Sequence, residues 1–348
     1  MSDSLALAHD PRYQQLHNWL TALKESHALD LSSLTPASSD ASFRRYFRIN
    51  NDKVSLIVMD APPPQEDIAP FLHVTQLLQA VNVTVPEIIA ADTEHGFILM
   101  SDLGHHNFYH ALQNTPTQAE IDALYRPTLE VLVRVQKADT TGLPVYNEAK
   151  LLEELQVFPE WFLAKHANIT LSDTESVQLQ ECFQMLTHYN SQGAQVIVLR
   201  DFHSPNLMLP LPGSNEPGLI DYQDAVLGPI TYDIASLIMD ARHTWDEAQQ
   251  LDWAIRYWQA AFAAGLNVPD DFAVFHQQYE WMSLQRNLRI LGVFVRLSLR
   301  DNKHHYLEHL PRLLTYVRQV ASRYQSLSPI LKIVDRAEGR KTVLGVTL

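Results

Sequence analysis

The pattern of apolar and polar positions changes near residue 104. Before that point, apolar residues recur at helical spacing from Leu16 to Leu23 and predict an opening helix. Two short strand patterns follow, "RRYFRI" and "VSLIVMD", joined by the turn-prone "NND". A helix over 66–80 and two further strands, "PEIIAAD" and "GFILMSD", complete this part. We therefore expect residues 1–103 to form a small sheet-rich lobe with one inserted helix.

Helical spacing dominates from residue 104 to the end. Long helical patterns run through "EIDALYRPTLEVLVRVQKA", "AKLLEELQVFPEWFLAKH" and "SVQLQECFQMLTHYN". Three short apolar runs, "VIVL", "NLML" and "GLID", interrupt the helices once. We expect residues 104–348 to form a larger helical lobe, with "MSDLG" as a hinge between the lobes. The predicted fold class is α+β.

Composition and charge narrow the classes of function. The chain has 348 residues, 46% of them hydrophobic, which is enough for two domains or one large two-lobed domain. Its formal net charge of -14 argues against a nucleic-acid or anionic-membrane partner, because phosphate backbones bind clustered basic residues. The single cysteine, Cys182, cannot support a disulfide framework, which fits a reducing compartment. Neither a signal-peptide pattern nor an apolar run of about 18 residues occurs, so we expect a cytoplasmic protein.

Polar residues lie at the ends of the three short apolar runs. Asp201 comes just after "VIVL", Asn206 begins "NLML", and Asp221 directly follows "GLI". Side chains at strand ends project into loops, where binding and catalytic residues concentrate. Carboxylate and amide oxygens suit magnesium, which proteins hold with one or two carboxylates plus substrate phosphates. The alternative is that Asp201 and Asn206 only cap a turn, as these residue types often do.

The same stretch carries a resemblance to a known family. "LRDFHSPN", "LIDYQD" and "GPITYDIASLI" resemble the catalytic loop, metal-binding strand and following turn and helix of the aminoglycoside phosphotransferase and choline kinase family. The resemblance implies a bilobal, protein-kinase-like fold and transfer of a phosphoryl group from ATP, with Mg²⁺ as cofactor. It makes Asp201 the catalytic base, and Asn206 and Asp221 the metal ligands. It also implies that Asp233 ties the catalytic loop to the next helix. His203 is expected to hold the loop by hydrogen bonds to backbone, with a metal ligand as the alternative.

The first lobe departs from the kinase pattern. A glycine-rich loop and a strand lysine normally contact the phosphates, but "SSDASFRRYF" has no glycine and "LIVMD" places Met59 or Asp60 at the expected lysine. The 66–80 helix has no acidic residue in its middle, so we expect the usual ion pair to be missing. Arg44 or Arg45, on opposite faces of a strand by alternation, is expected to supply the phosphate-binding charge. The predicted nucleotide-binding residues are Ser42, Arg44, Arg45, Met100 and Asp102.

Four longer segments resemble one bacterial subfamily more specifically. These segments are "SFRRYFRI", "VMDAPP", "LRDFHSPNLM" and "LRILGVFVRLSLRDNKHHYL". They resemble kinases that phosphorylate N-acetylmuramate and N-acetylglucosamine at the C1 hydroxyl during cell-wall recycling. The resemblance implies ATP and an amino sugar as substrates, and we expect a monomer. Two alternatives stay open: a phosphotransferase for aminoglycosides or other small hydroxyl compounds, and a nucleotide-binding pseudokinase, which the missing lysine would explain.

A basic stripe on a late helical pattern bears on the acceptor. Arg286, Arg289, Arg296 and Arg300 recur at spacings close to one helical face. Clustered arginines repel one another unless carboxylates or an anionic ligand compensate them. The first turns are predicted to meet the sugar, for example the lactyl carboxylate of N-acetylmuramate. For Arg296 and Arg300 we favour internal salt bridges with helices such as "LLEELQ".

Three other residues complete the predicted acceptor site. Asp224, three residues after the metal candidate, either lines the acceptor pocket or faces solvent. Glu160 and Trp161 pair a carboxylate with an aromatic plate on which sugars stack, although aromatic residues at helical spacing are more often core. The predicted acceptor-binding residues are Asp224, Glu160, Arg286 and Arg289.

Overall fold

A computed structural model describes residues 10–38 and 43–340 of the chain. The N-terminal part contains a five-stranded antiparallel sheet with the order β1-β2-β3-β5-β4. Its elements are α1 (Pro11–His27), β1 (Leu29–Ser38), β2 (Arg45–Asn51), β3 (Ser55–Asp60), α2 (Ala69–Ala80), β4 (Ile88–Asp92) and β5 (Phe97–Ser101). The predicted helices, the β2–β3 hairpin and the two later strands are confirmed. The edge strand β1 was not predicted, because "LDLSSLTPAS" lacks an apolar alternation and contains a proline.

Alternation along β2 divides the sheet into two faces. Phe47 and Ile49 are buried on the face that packs against α1. Tyr46 and Arg48 lie on the opposite face and line a cavity described below. The helix α1 begins with Pro11 and with the side chain of Asp10 accepting a hydrogen bond from Arg12 N at 2.9 Å, a combination that favours helix initiation. The helix thereby covers one face of the sheet and leaves the other face for a ligand.

The C-terminal part is mostly helical. Its helices are α3 (Phe108–Gln113), α4 (Gln118–Val135), α5 (Glu148–Leu155), a π-helix (Phe158–His166), α6 (Asp173–Ser191), α7 (Thr231–Ile238), α8 (Glu247–Ala263), α9 (Phe272–Asp301), α10 (Leu310–Ala321) and α11 (Ser328–Ala337). Short 3₁₀ segments lie at Ser204–Asn206, His304–His309 and Gln325–Leu327. The long helix predicted over "AKLLEELQVFPEWFLAKH" is instead α5 followed by the π-helix. The break falls next to Pro159, which lacks an N–H for a regular helical hydrogen bond.

Two small antiparallel ladders interrupt the helices and position the central loops. β6 (Gln195–Val198) pairs with β9 (Val226–Pro229), and β7 (Leu207–Met208) pairs with β8 (Gly218–Leu219). The loop from 199 to 206 leaves β6, and the loop from 220 to 225 joins β8 to β9. One continuous core runs beneath both loops and extends from the long helix α9 into the N-terminal sheet. Within the described residues, no helix is long and apolar enough to cross a membrane.

Candidate active site

A buried carboxylate holds the start of the central loop. Asp233, in the first turn of α7, is 0% exposed and accepts hydrogen bonds from Leu199 N at 2.7 Å and Arg200 N at 3.0 Å. Burial raises the pKa of Asp233 to about 7, although these backbone donors and the nearby Arg286 oppose the shift. Arg200 has a positive φ of 71°, and the two hydrogen bonds fix its backbone. Asp233 therefore connects the loop to α7 immediately before Asp201.

A second buried carboxylate, Asp240, holds the middle of the loop and was not identified from the sequence. The backbone N–H of Ser204 donates to Asp240 at 3.1 Å, and the Ser204 hydroxyl also donates to it. His203 places Nδ1 3.0 Å from the Arg242 guanidinium and Nε2 3.2 Å from the amide nitrogen of Asn206. Its ring therefore contacts side chains, not the backbone groups we expected. Burial and Arg242 lower the pKa of His203 to about 4, so the ring is neutral near pH 7.

The predicted base and metal ligands lie together at the end of this loop. The amide nitrogen of Asn206 donates to the backbone oxygen of Asp201 at 3.0 Å and lies 3.3 Å from Oδ2 of Asp221. Gln223 Nε2 donates to the other carboxylate oxygen of Asp221 at 2.8 Å. Asp201 itself is half-buried. The structure thus brings Asn206 and Asp221 into one group, which contacts Asp201 through the backbone oxygen of that residue.

The donors of this group fit magnesium. Asn206 and Asp221 offer hard amide and carboxylate oxygens, and Asp221 is exposed. Among residues 10–38 and 43–340, no group of three or more His, Cys, Asp and Glu side chains could enclose a metal ion. A cation held by one carboxylate and one amide completes its coordination with water and substrate phosphates, as magnesium commonly does.

A cavity of about 340 Å³ extends from this group to the predicted hinge. Its lining is largely apolar and suits a flat heteroaromatic ring. The apolar and aromatic lining residues are Ala37, Tyr46, Ile57, Phe71, Pro86, Met100, Leu103, Met208 and Ile220. Asn206 and Asp221 contribute polar groups to the same cavity. Of the predicted nucleotide-binding residues, Met100 lines it directly, whereas Ser42 lies outside the described residues.

Asp102 also lines this cavity, but protein donors occupy its carboxylate. Arg48 Nε donates to it at 2.6 Å, the Ser55 hydroxyl at 2.7 Å and Gly104 N at 2.9 Å. Burial opposes ionisation, but these donors outweigh it and lower the pKa of Asp102 below its usual value. Asp102 therefore fixes the segment just after β5 to β2 and β3. Arg48 was not identified from the sequence. The available signal was its spacing of two residues from Tyr46, which places both side chains on the same face of β2.

The two candidate arginines at the start of β2 have different partners. Arg45 bonds to the fully buried Asp60 at 2.9 Å through Nε and also pairs with Asp10, at the start of α1. These contacts place Arg45 on the α1 face, away from the cavity, so our expectation of a phosphate contact from Arg45 is not supported. Arg44 forms an ion pair of 2.9 Å with Glu66, just before α2. Both residues lie just outside β2 and α2, so this pair is not the usual one between a strand lysine and the middle of the helix, and the expectation that the usual pair is missing stays a prediction.

A second cavity, of about 790 Å³, lies beside the central loop. Asp224 and Arg200 line it, together with residues of α2 and of the segment from Gly142 to Glu153. Glu154 of α5, close to this wall, binds Arg200 Nη2 at 2.6 Å and Arg289 Nε at 2.9 Å. The Tyr146 hydroxyl also donates to Glu154. This cluster has two guanidinium groups and one carboxylate, so it carries a net positive charge near Asp201.

The remaining acceptor predictions need correction. Arg286 is buried beneath the loop, where it donates to the Ser236 hydroxyl at 2.7 Å and lines neither large cavity. Glu160 is exposed and pairs at 3.4 Å with Lys165, whose ammonium lies over the Trp161 ring. Neither side chain lines either of these two cavities. The helical periodicity predicted which arginines share a face of α9, but it did not predict how deeply each of them is buried.

The outer part of the arginine stripe also differs from expectation. Arg300 pairs with its neighbour Asp301 at 2.8 Å, not with the "LLEELQ" helix. The buried Nε of Arg296 has no hydrogen-bond partner in the described part of the chain. The salt bridge to that helix is instead made by Arg289, through Glu154.

Solved structures of known proteins share this fold. An ADP-bound aminoglycoside phosphotransferase, APH(2'')-Ib, matches with a TM-score of 0.58 at 13% identity, over 85% of this chain and 96% of its own. An ethanolamine kinase of Plasmodium vivax matches with a TM-score of 0.60 at 10% identity, over 94% of this chain and 89% of its own. At these identities the likeness concerns the fold alone. It confirms the predicted bilobal, kinase-like architecture with a small sheet-rich lobe.

Curated relatives are much more similar in sequence. Proteins named N-acetylmuramate/N-acetylglucosamine kinase from Pseudomonas aeruginosa and from Neisseria meningitidis are each 40% identical to this chain. The matches cover 93% and 94% of this chain, and 96% of each relative. The model of the phosphotransferase enzyme family matches residues 33–272, which include both loops and the cavity between the lobes. The chain therefore belongs to the phosphotransferase enzyme family.

Proposed function

We propose that this protein is an ATP-dependent sugar kinase that phosphorylates the anomeric C1 hydroxyl of N-acetylmuramate or N-acetylglucosamine. The observation that carries the proposal is that Asn206 and Asp221 line one end of a cavity that reaches Met100, while the side-chain amide of Asn206 binds the backbone oxygen of Asp201. The names of relatives that are 40% identical over nearly the whole chain support the amino-sugar acceptor. The same names describe kinases, which supports phosphoryl transfer to an alcohol group of the sugar.

Each of these residues has its own role in phosphoryl transfer. The apolar cavity at Met100 binds the nucleotide base, which directs the phosphates towards Asn206 and Asp221. Asp201 orients the sugar hydroxyl and accepts its proton as the sugar oxygen bonds to the γ-phosphorus and the bond from that phosphorus to ADP breaks, so that ADP leaves. Asn206 and Asp221 hold Mg²⁺, which when bound neutralises negative charge on the transferring phosphoryl group. Most of the catalysis then comes from positioning and electrostatics, because phosphoryl transfer needs little covalent help from the protein.

Charges of both signs lie beside the loop. Arg200 and Arg289 bind Glu154. The lining of the adjacent cavity carries three carboxylates and two cationic side chains, from Asp67, Glu153, Asp224, Lys150 and Arg200. The amino-sugar acceptor class is therefore supported by the names of the relatives.

The test incubates the protein with magnesium and ATP, and with N-acetylmuramate, N-acetylglucosamine, an aminoglycoside or choline. We expect ATP consumption with the two amino sugars only, and phosphorus NMR should locate the phosphate on the C1 oxygen. ATP consumption only with a cationic acceptor would contradict the acceptor class, and none with any acceptor would favour a pseudokinase.

The Asp201→Asn variant tests the base in the same assay. We expect it to lose about 100-fold or more in kcat, because general base catalysis contributes about that much. Its nucleotide binding should remain. Asp252→Asn is the matched control, since Asp252 lies on the exposed surface of α8 and pairs only across one helical turn with Arg256. Turnover of Asp201→Asn equal to that of the control would overturn the assignment.

A further inference from the structure

The five strands of the N-terminal sheet contain no lysine within the described residues. A cation is nevertheless required near the phosphates of ATP, because charge on the transferring group must be neutralised. Arg44, Arg45 and Arg48 are the cationic side chains at or beside β2. Their positions decide which one can serve the triphosphate.

Alternation along β2 selects Arg44 from the three. Tyr46 and Arg48 line the cavity, so continued alternation places Arg44, two positions before Tyr46, on the same face. Arg45 faces the other side, where it binds Asp60. Arg48 binds Asp102 and the backbone oxygen of Gly104, which places it at the hinge end. Four residues of extended chain, about 13 Å, separate Arg44 from Arg48, so Arg44 lies towards the phosphate end of an extended nucleotide.

The partner of Arg44 connects it to the metal-binding side of the cleft. Arg44 and Glu66 form their 2.9 Å ion pair with both side chains only 14% exposed. Glu66 lies three residues before α2, and α2 contacts the residue after Asp221 in two ways. Phe71 stacks on the ring of Tyr222 with centroids 5.1 Å apart, and Thr75 Oγ1 lies 2.8 Å from the Tyr222 hydroxyl. The short segment from Glu66 to α2, together with α2 itself, thus connects the ion pair to the loop that contains Asp221.

We propose that Arg44, oriented by Glu66, binds the outer phosphates of ATP in place of the strand lysine of other kinases. A guanidinium carries five N–H donors in a planar fork, so it can bind a carboxylate and a phosphate at the same time. Glu66 is a positioning residue, because it acts on the nucleotide only through Arg44. The inference depends on the proposed function insofar as the nucleotide is ATP.

The test compares two ligands that differ only in the phosphates. Equilibrium binding of magnesium-ATP and of adenosine is measured for the wild type, Arg44→Gln, Arg44→Lys and Glu66→Gln. Arg44→Gln should weaken ATP binding by about 10- to 100-fold, the range expected for charge-assisted hydrogen bonds, and leave adenosine binding unchanged. Arg44→Lys should recover part of the ATP affinity. Arg126→Gln is the control, because it removes an exposed ion pair on α4.

The role of Glu66 is tested by combining variants. Glu66→Gln should weaken ATP binding in the wild type but not in the Arg44→Gln background, since it acts through the same arginine. Additive losses in the double variant would overturn the positioning role. Unchanged ATP affinity in Arg44→Gln, or an equal loss of adenosine affinity, would overturn the inference for Arg44.

The outcomes separate this inference from the proposed function. If the wild type phosphorylates an amino sugar and Arg44→Gln binds ATP normally, only the inference about Arg44 is wrong. If the wild type phosphorylates no sugar, the proposed function is wrong, and the comparison of ATP with adenosine still decides the role of Arg44.

Discussion

Gly292 lies where the long helix α9 meets the backbone that begins the π-helix. A Cβ atom built at Gly292 would be 2.3 Å from the carbonyl oxygen of Val157, 2.4 Å from its carbonyl carbon and 2.9 Å from Phe158 N. All three atoms are backbone, so no side-chain rotation can relieve the contact. Gly292→Ala must therefore push the two segments apart.

Two opposing effects decide the sign of this substitution. Alanine is better than glycine inside a helix by about 1 kcal/mol. Overpacking a tight contact costs about 1–3 kcal/mol, and the upper end applies when backbone must move. We therefore expect Gly292→Ala to lower the free energy of unfolding by about 1–2 kcal/mol. The movement should also disturb Glu154, three residues before Val157, and with it the Arg200 contact next to Asp201.

Urea unfolding of Gly292→Ala and of a matched glycine variant checks this expectation. Gly193→Ala is the control, because the nearest atom to its added Cβ is a side-chain oxygen of Gln278 at 3.9 Å. This control should be neutral or gain up to about 1 kcal/mol by restricting the unfolded chain. If Gly292→Ala were stabilised as much as the control, the close approach of α9 to Val157 would be refuted.

Three further predictions concern buried polar groups. Tyr222→Phe keeps the stack on Phe71 but loses the hydrogen bond to Thr75. Urea unfolding should therefore show a free energy of unfolding lower by about 1 kcal/mol. The kcat of this variant should change little. Burial raises the pKa of Asp233 to about 7, above its unfolded value, so its contribution to stability is present below pH 4 and lost as the pH rises through 7. The free energies of unfolding of the wild type and of Asp233→Asn are measured at pH 5 and at pH 8. The wild type should lose stability relative to Asp233→Asn at the higher pH. An equal difference between the two proteins at both pH values would contradict this. Burial raises the pKa of Cys182 to about 11, so a thiol reagent at pH 8 should label it only slowly unless the protein is unfolded.

The catalytic loop could be predicted because its signals are local. Asp201, Asn206 and Asp221 occupy ends of short apolar runs, and a strand-loop-strand unit brings such ends together. The β2–β3 hairpin was likewise encoded by two alternating runs and one turn. In both cases the residues that determine the structure lie within about 25 positions of one another along the chain.

The roles of several charged residues depend on distant partners and could not be predicted. Arg44 and Arg45 have the same chemistry, but Arg45 pairs with Asp10 and Asp60 on the sheet face that α1 covers, whereas Arg44 pairs with Glu66. Arg286 and Arg289 share a helical face, yet one lies under the loop and the other reaches Glu154 on α5. Asp240 follows an apolar run as Asp201 does, but its contact with Ser204 needs the tertiary fold.

The loop that contains Arg200 and Asp201 is fixed more strongly by hydrogen bonds than the loop that contains Asp221. Arg200 and Asp221 both have positive φ, a conformation that costs a non-glycine residue about 1–2 kcal/mol. At Arg200 the strain is offset by the hydrogen bonds that Leu199 N and Arg200 N donate to the buried Asp233, which contribute about 0.5–1.5 kcal/mol each. Asp221 is exposed, and water weakens its contacts with Asn206 and Gln223. The buried stack of Tyr222 on α2 therefore fixes the residue next to Asp221, and movement of α2 should displace Asp221, the proposed metal ligand, before it displaces Asp201, the proposed base.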